Sequence, residues 1–234
     1  AGGGVLEITS KLGGLVKLTR SIALFTLLIE AAGAALFYIR FASQNPPATA
    51  VWRSVFHAVS AFNNAGLDLF GNFRSLTAYA NDPLVVLGTA ALIILGGISF
   101  IVVADAFSAK RFSRMALDSR LVLVTTLGLL ALGIVVILTT EYLNPDTLGP
   151  MPLGQKVLDA FFQSVAPRTA GFNVIDIGKM TEFTLFFTLL LMFIGGASGS
   201  TAGGIKVNTF GLLIATVVSA IKGKEYAGAY DREF

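Results

Sequence analysis

Two stretches of this sequence, Leu84–Ala104 and Leu121–Thr140, contain no charged residue. Each is about twenty residues long, the length that an α-helix needs to cross the hydrocarbon core of a bilayer. The composition agrees with a membrane location, because 54% of the residues are hydrophobic and only 13% are charged. A water-soluble fold lacks the polar side chains to cover so much apolar surface. The chain is therefore predicted to be an all-α integral membrane protein.

Two further apolar segments bring the predicted membrane crossings to four. The first, Ser21–Phe41, is interrupted only by Glu30 and Arg40. The last consists of two apolar halves, Phe183–Ile194 and Val207–Ala220, which are separated by a run rich in glycine and serine. Because such a run disfavours a helix, this span is predicted to be broken in its middle.

Two shorter amphipathic segments, about Ala50–Asn63 and Pro152–Val165, are too short to cross a bilayer. Each leads into a loop that contains an Ala-Gly pair, and polar sequence follows before the next apolar span. Segments of this length and position are predicted to be re-entrant or buried helices.

The basic residues indicate how the chain is oriented. Ten of them lie before the first span, between the second and third spans or after the fourth; six lie on the opposite side, and Lys206 lies within the broken span. The positive-inside rule then places both ends in the cytoplasm and both short helices outside. The predicted organisation is a cytoplasmic lead-in at 1–20, a repeat at 21–105, a cytoplasmic linker at 106–120, a repeat at 121–222 and a cytoplasmic connection at 223–234.

The two halves of the chain repeat one another. A shift of 105 residues places Phe56 over Phe161 and Gly66 over Gly171, and it brings the alanines at 61 and 65 over alanines. Both short helices enter from the same side, so the repeat is parallel. Inverted repeats are common in secondary transporters, and a parallel repeat therefore favours a channel-like pore.

The loops that follow the two short helices are predicted to form an ion-binding filter. A helix carries about half a negative charge at its C-terminus, and a loop beyond it can turn successive carbonyl oxygens towards a cation. Glycine adopts the unusual backbone conformation that such a loop requires. Either loop alone would equally suit a surface turn, but two copies in register favour the ion site. The predicted ligands are the carbonyls of Asn64, Ala65, Gly66 and Leu67 and of Thr169, Ala170, Gly171 and Phe172.

The run between the two halves of the fourth span is predicted to be a gate in the permeation path. Small residues also serve close helix packing, but this run contains more of them than packing needs. A nucleotide-binding P-loop is excluded, because Ile205 occupies the position of its lysine and no serine or threonine follows. Lys206 either repels cations until it moves or extends to the cytoplasmic interface. The predicted gate consists of Gly195, Gly196, Ala197, Ser198, Gly199, Ser200, Thr201, Ala202, Gly203, Gly204 and Lys206.

The other polar residues suggest no catalytic chemistry. His57 is expected to be a packing or interfacial residue rather than a ligand, and Glu30 to be structural. Asp68 and Asp176 are expected either to attract cations on the outer side or to be solvated loop acids. The absence of cysteine excludes thiol chemistry, and a single histidine does not suit a zinc site. The net charge of +3 is scattered and forms no basic face for nucleic acid. An enzyme is not predicted.

Several motifs resemble those of a known transporter superfamily. The segments SVAPRTAGFNVIDIGKM (Ser164–Met180) and MFIGGASGSTAGGIKVNTF (Met192–Phe210) resemble the third repeat of the Trk/Ktr/HKT potassium transporters. AFNNAGLDLFGNFRSL (Ala61–Leu76) resembles the filter region of the second repeat, and IKGKEYAGAYDREF at the end resembles the connection to a fourth. The nearest branch is the ion-conducting subunit of bacterial Ktr systems.

This resemblance implies a potassium uptake protein of the plasma (inner) membrane. Its pore would have four tandem parallel helix–pore helix–helix repeats, as in a potassium channel, of which two are present here. Each repeat would supply one filter glycine, here Gly66 and Gly171, and the segment Gly195–Lys206 would gate the flux below the filter. Flux would be passive for K⁺ and stimulated by Na⁺, with no cofactor in the chain itself. The implied partners are a second copy in a homodimer and a cytosolic ring of RCK-type regulatory subunits that bind nucleotide.

The sequence departs from this pattern in two respects. Only two of the four repeats are present, so the chain is expected to be part of a longer protein. Ala202 stands where many relatives have glycine.

Two other functions are kept as alternatives: a sodium-coupled secondary transporter with re-entrant hairpins, and a non-conducting membrane scaffold for a cytosolic regulator.

Overall fold

The computed structural model describes residues 3–222 and the backbone of 228–229 and 232–233, with side chains described from residue 14 to residue 222. The predicted connection at 223–234 therefore lies outside the described residues, apart from two short strands. These strands, β1 (Gly228–Ala229) and β2 (Arg232–Glu233), pair antiparallel. The helices are α1 (Gly3–Phe41), α2 (Pro47–Phe62), α3 (Pro83–Ile98), α4 (Phe100–Ala109), α5 (Leu117–Glu141), α6 (Leu153–Val165), α7 (Glu182–Phe193) and α8 (Val207–Ile221).

The helices form two groups of the same order, each with a long helix, a short helix and an interrupted helix. In the first group α1 packs on α2 and α3; in the second α5 packs on α6, α7 and α8. The groups meet where α3 packs on α6. Both groups contribute to one core, which includes Phe37 and Phe62 from the first and Phe162 and Phe172 from the second.

Among the described residues, two helices are individually long and apolar enough to cross a bilayer, Gly14–Phe41 within α1 and Leu117–Glu141. Their outward faces carry large exposed side chains such as Leu27, Leu28 and Leu127, as expected where lipid rather than water is the surrounding solvent. The helix α1 begins at Gly3, well before the predicted start of the span at Ser21. Residues 3–20 of the lead-in therefore belong to the same helix as the span. The sequence from Gly3 to Phe41 contains no proline that would end this helix.

The second predicted span is not one continuous helix. Instead of crossing straight through Leu84–Ala104, the chain ends α3 at Ile98, begins α4 at Phe100 and bends by 90° between them. At the bend the backbone of Ser99 has φ 82° and ψ 138°, a conformation that residues other than glycine rarely adopt. The uniform hydrophobicity of this stretch, which predicted a straight span, carries no information about a bend.

The fourth apolar stretch is divided between two helices. The helix α7 ends at Phe193 and α8 begins at Val207, and the segment between them is not helical. Its two ends are joined by a parallel bridge, in which Gly195 N–H donates to Ile205 at 2.9 Å and Ile205 N–H donates to Phe193 at 3.0 Å. A Cβ atom on Gly195 would overlap the carbonyl group of Gly203, so the compact form of this segment requires glycine there.

In both groups the end of the long helix is fixed to the start of the interrupted helix. Arg40 of α1 forms an ion pair with Asp82, the N-cap residue of α3. Glu141 of α5 is fully buried, and its carboxylate accepts bonds from Thr147 (2.6 Å) and from the Thr181 hydroxyl (2.8 Å). Because Thr181 is the N-cap residue of α7, this carboxylate also lies at the positive end of a helix dipole.

Candidate functional site

The two predicted ion loops lie against one another. A Cβ atom added to Gly66 would overlap the carbonyl group of Ala170 and lie 3.2 Å from the Cα atom of Gly171. A Cβ atom on Gly171 would lie 3.7 Å from the Cα atom of Gly66. Residues about a hundred positions apart in the sequence therefore meet at one place, and the first loop can approach the second this closely because position 66 has no side chain.

The two loops share an unusual backbone conformation at equivalent positions. In the first loop Asn64 and Gly66 have φ of 51° and 68°; in the second Thr169 and Gly171 have φ of 77° and 82°. These positions correspond under the shift of 105 residues, and the alanine between them has no positive φ in either loop. An extended strand has negative φ throughout, so the alternation distinguishes both loops from an ordinary extended segment.

Most carbonyl oxygens of the loops are available to a ligand. Among the described residues, no donor bonds to the carbonyl oxygens of Asn64, Ala65, Gly66, Thr169, Ala170, Gly171 or Phe172. The carbonyl of Leu67 differs, because it accepts a bond from the Ser60 hydroxyl at 2.7 Å. The hydroxyl oxygen of Ser60 in turn accepts a bond from Leu67 N–H at 2.9 Å. Unpaired carbonyls inside a protein are costly unless another partner satisfies them, and a dehydrated cation is such a partner.

A helix ends shortly before each of these loops, so its negative C-terminal end lies next to the loop. The helix α2 ends at Phe62 and α6 ends at Val165.

Phe172 is 1% exposed and packs edge-on against the ring of His57 at 5.1 Å between centroids. His57 is itself 2% exposed and its Nε2 atom bonds to the Thr89 hydroxyl at 2.9 Å, consistent with the predicted packing role.

The segment between α7 and α8 contacts both loops. Asn64 of the first loop donates from its amide to the hydroxyl of Thr201 at 2.8 Å. Next to the second loop, the buried Arg168 donates to the carbonyl of Gly195 at 3.2 Å. This segment, predicted to be a gate, thus lies directly beside the predicted filter in the folded chain.

The same segment also caps the broken end of α3. The last carbonyls of a helix have no partner within it, and the bend at Ser99 leaves those of Gly96 and Gly97 free. Ala197 N–H donates to Gly97 at 2.8 Å and Thr201 N–H donates to Gly96 at 3.2 Å. The interruptions in the two halves of the chain therefore satisfy each other's backbone groups.

Lys206 does not point away from this segment. Its ammonium group donates to the carbonyl of Ala202 at 2.6 Å, four residues earlier. The ammonium keeps its positive charge in this bond, so repulsion of cations does not require the bond to break, whereas extension to the cytoplasmic interface does.

The remaining predicted polar residues have local partners. Glu30 accepts a bond from the Asn63 amide at 2.7 Å, a partner that sequence analysis did not identify. Asp68 accepts from Phe70 N–H at 2.8 Å, which fixes the turn after the first loop. Asp176 accepts from Gly178 N–H at 3.1 Å in the turn before α7. Each carboxylate thus has a structural role in the folded chain.

Sequence analysis missed the contribution of the bend between α3 and α4. A signal was present, because Gly96-Gly97-Ile98-Ser99 resembles Gly195-Gly196-Ala197-Ser198, the start of the predicted gate. The Asn64 side chain and the buried Arg168 guanidinium, whose bonds join the loops to the segment at 195–206, were also missed. Their bonds connect residues far apart in the sequence, and no local pattern reports such pairs.

Comparison with known proteins is consistent with this arrangement. The family described as "TrkH: Cation transport protein" matches residues 6–228. The chain is 42% identical over 214 residues to the Ktr system potassium uptake protein B of Bacillus subtilis, covering 92% of this chain and 48% of that protein. It is 40% identical over 222 residues to the potassium/sodium uptake protein NtpJ of Enterococcus hirae, covering 95% of this chain and 49% of that protein.

A solved structure has the same fold. The crystal structure of the potassium transporter TrkH from Vibrio parahaemolyticus matches with a TM-score of 0.69 at 20% identity, over 88% of this chain and 42% of that one. The match confirms the predicted all-helical membrane fold, and the family match confirms the resemblance to the Trk/Ktr superfamily. The chain spans about half the length of the curated relatives it matches. With 92% of its length aligned at 42% identity and 223 residues matched by the family, the chain belongs to the TrkH family of cation transport proteins, which are ion transporters and not enzymes.

Proposed function

We propose that this chain supplies two of the four filter segments of a pore that carries K⁺ into the cell across the plasma membrane. The observation that carries the proposal is the meeting of the two loops at Gly66 and Ala170, with most of their carbonyl oxygens unpaired among the described residues. Rings of backbone carbonyls replace the hydration shell of K⁺ in potassium-selective pores. The K⁺ ligands are the carbonyls of Asn64, Ala65, Gly66, Thr169, Ala170, Gly171 and Phe172, and more weakly that of Leu67.

The electrostatics of the site favour a cation. Each loop begins at the C-terminal end of a helix, α2 or α6, and each such end carries about half a negative charge. Within a bilayer this partial charge is poorly screened, so it offsets part of the cost of removing water from the ion. The partial charges and the carbonyl dipoles thus act together on the ion.

Two loops of this kind provide only part of a coordination shell. The chain spans about half the length of its curated relatives. We infer that two further segments of the whole protein complete the ring. The chain's two groups of helices, each in the order long, short, interrupted, are then two parallel repeats, with both ends of this segment in the cytoplasm.

We further infer that the segment at 195–206 gates the pore. Support comes from its position against Asn64 of the first loop and Arg168 of the second, and from its lack of helical structure. It is held on α3 by two N–H···O bonds, each of which contributes about 1 kcal/mol net, and beside the loops by the bonds of Thr201 and Arg168. Deletion of residues 197–203 is expected to raise the flux, and a folded variant with reduced flux would contradict the gating role.

The proposed regulation and assembly follow the relatives. Proteins named Ktr system potassium uptake protein B and D indicate membrane subunits that work within a system of several components. We extend this to a homodimer bound to a cytosolic ring of nucleotide-binding, RCK-type subunits, with nucleotide acting only through that ring. The relative named for both potassium and sodium uptake supports a role for Na⁺, here as an activator.

The filter is tested by uptake of labelled Rb⁺ into proteoliposomes that contain the complete transporter, with K⁺ or Na⁺ as competitor. Gly171→Asp is expected to abolish the preference for K⁺, because it places a charged side chain at a position of φ 82° within the filter. The matched control is Gly154→Asp in the first turn of α6, where a Cβ atom meets nothing within 4 Å and an acidic residue suits the helix dipole. An unchanged preference for K⁺ in folded Gly171→Asp would overturn the proposed filter.

A further inference from the structure

The side chain of Thr201 connects three parts of the molecule. Its hydroxyl donates to the carbonyl of Phe62 at 3.0 Å and accepts from the amide of Asn64 at 2.8 Å. Its backbone N–H donates to the carbonyl of Gly96 at 3.2 Å. A single residue of the segment at 195–206 therefore joins the end of α2, the first filter loop and the end of α3.

Both side-chain bonds form at the same time without conflict. A hydroxyl has one proton to donate and lone pairs to accept with, so the proton goes to the Phe62 carbonyl and a lone pair receives the Asn64 amide. The other carbonyls in the last turn of α2 bond to backbone N–H groups of residues 63–65. Phe62 is the one whose carbonyl is capped by a side chain from the other half of the chain. Thr201 thus completes the C-terminal cap of α2.

The orientation of Asn64 depends on this contact. Asn64 is 9% exposed, and its Oδ1 atom has no hydrogen-bond partner among the described residues. Its amide nitrogen donates to the Thr201 hydroxyl. Within the described part of the chain, this hydrogen bond is what orients the Asn64 side chain. The backbone of Asn64, at φ 51°, begins the first filter loop. A shift of Thr201 would therefore act on the residue that positions the first carbonyls of the filter.

The second filter loop lacks this kind of contact. At the equivalent position the hydroxyl of Thr169 has no hydrogen-bond partner among the described residues. The neighbouring Arg168 bonds to a backbone carbonyl of the segment, that of Gly195. The first loop is therefore joined to the segment by a bond between two side chains, whereas the second is joined through Arg168 and a backbone carbonyl, although the two loops share their backbone conformation.

We propose that Thr201 couples the gating segment to the first filter loop through Asn64 and the end of α2, so that displacement of the segment alters ion selection as well as flux. The proposal rests on the proposed function, in which the loops select K⁺ and the segment gates. Thr201 and the Asn64 side chain are positioning residues. When the segment leaves its place on α3, the cap of α2 and the restraint on Asn64 are lost together.

The test compares variants of the complete transporter in proteoliposomes, measuring Rb⁺ uptake against increasing K⁺ or Na⁺. The readout is the ratio of the competitor concentrations that halve the uptake. Thr201→Val keeps the shape of the side chain and loses both bonds; it is expected to reduce discrimination about fivefold, the ratio that corresponds to one hydrogen bond. Thr201→Ser keeps the hydroxyl and is expected to restore discrimination to within about twofold. Thr209→Val, at an exposed threonine of α8, is the matched control.

A double-mutant cycle separates coupling from a general loss of structure. Asn64→Gly removes the partner side chain at a left-handed position that glycine adopts without strain. It is expected to reduce discrimination as much as Thr201→Val, and the double variant no further, because both changes break the same connection. If Thr201→Val does not fold, Asn64→Gly alone decides, and normal discrimination in that variant overturns the coupling.

Two other outcomes are decisive. Effects of Thr201→Val and Asn64→Gly that multiply, or a changed flux with unchanged discrimination in Thr201→Val, overturn the coupling. Gly171→Asp, measured in the same preparation, keeps the two proposals apart. If Gly171→Asp leaves the preference for K⁺ intact, the proposed filter is wrong; if it abolishes the preference while Thr201→Val has no effect, the coupling alone is wrong.

Discussion

The adjacent glycines Gly96 and Gly97 at the end of α3 provide a sharp test of the packing around the site. A Cβ atom on Gly96 would overlap the carbonyl oxygen of Phe62 and lie 2.9 Å from both the Phe62 carbonyl carbon and the Thr201 hydroxyl. Carbon atoms in contact are separated by about 3.5–4.0 Å. On Gly97 the nearest atom, the amide nitrogen of Asn64, would be 3.9 Å away, which is an ordinary contact. We therefore expect Gly96→Ala and Gly97→Ala to differ strongly.

The magnitude follows from what the added methyl group meets. In Gly96→Ala the obstacle is backbone, which cannot rotate away, and overpacking of this kind costs about 1–3 kcal/mol. For a chain of this size that corresponds to a fall of about 2–12 °C in the midpoint of thermal unfolding. In Gly97→Ala the loss of glycine from a helix stabilises by up to about 1 kcal/mol. The assay is thermal unfolding of the purified transporter in detergent, with Rb⁺ uptake measured in parallel.

The direction of the functional effect is also specified. Gly96→Ala moves the carbonyl of Phe62 away from Thr201, so it is expected to reduce the discrimination between K⁺ and Na⁺ in addition to the stability. Equal midpoints for the two variants, or a lower midpoint for Gly97→Ala, would refute the close approach of α3 to the end of α2.

Two further predictions concern the bend at Ser99 and the buried Glu141. Ser99→Gly is expected to raise the unfolding midpoint by the equivalent of about 1 kcal/mol, because φ 82° with ψ 138° strains a residue that has a side chain; an unchanged midpoint would show that the bend is not strained. Glu141→Gln is expected to lower stability by about 1.5–3 kcal/mol, since the NH2 group that replaces one carboxylate oxygen would face a donor that cannot accept, either the Asn144 amide or Thr181 N–H. Arg40→Gln, at a side chain that is about half exposed, is the control and should have little effect in the same measurement.

Some parts of the fold were predictable because their signals are local. The charge-free stretch Leu121–Thr140 lies within α5, and the amphipathic segment Pro152–Val165 corresponds to α6. The break between Phe193 and Val207 was likewise predictable from a run of glycine and serine. Each of these features depends on the length or composition of one continuous segment, which can be examined without knowledge of its neighbours.

Other parts were not predictable from such signals. Leu84–Ala104 predicts a straight span, and the bend at Ser99 exists because the segment at 195–206 satisfies the carbonyls that it frees. Sequence analysis delimited only the apolar part of α1, which begins at Gly3, because a helix can continue through charged residues. Hydrophobicity locates the part of a helix that lies in lipid, not the ends of the helix.

The sequence by itself determined which segments are apolar enough to enter a membrane, where the chain is interrupted and which glycines are free to adopt left-handed conformations. These follow from the transfer of side chains from water to lipid and from the steric freedom of single residues. Only the tertiary structure decided that the loops at Gly66 and Gly171 meet, and that Thr201 caps α2 and holds Asn64. Those contacts join residues separated by about a hundred positions or more. They exist because, in a membrane interior without water, the polar groups freed at one break must find partners at another.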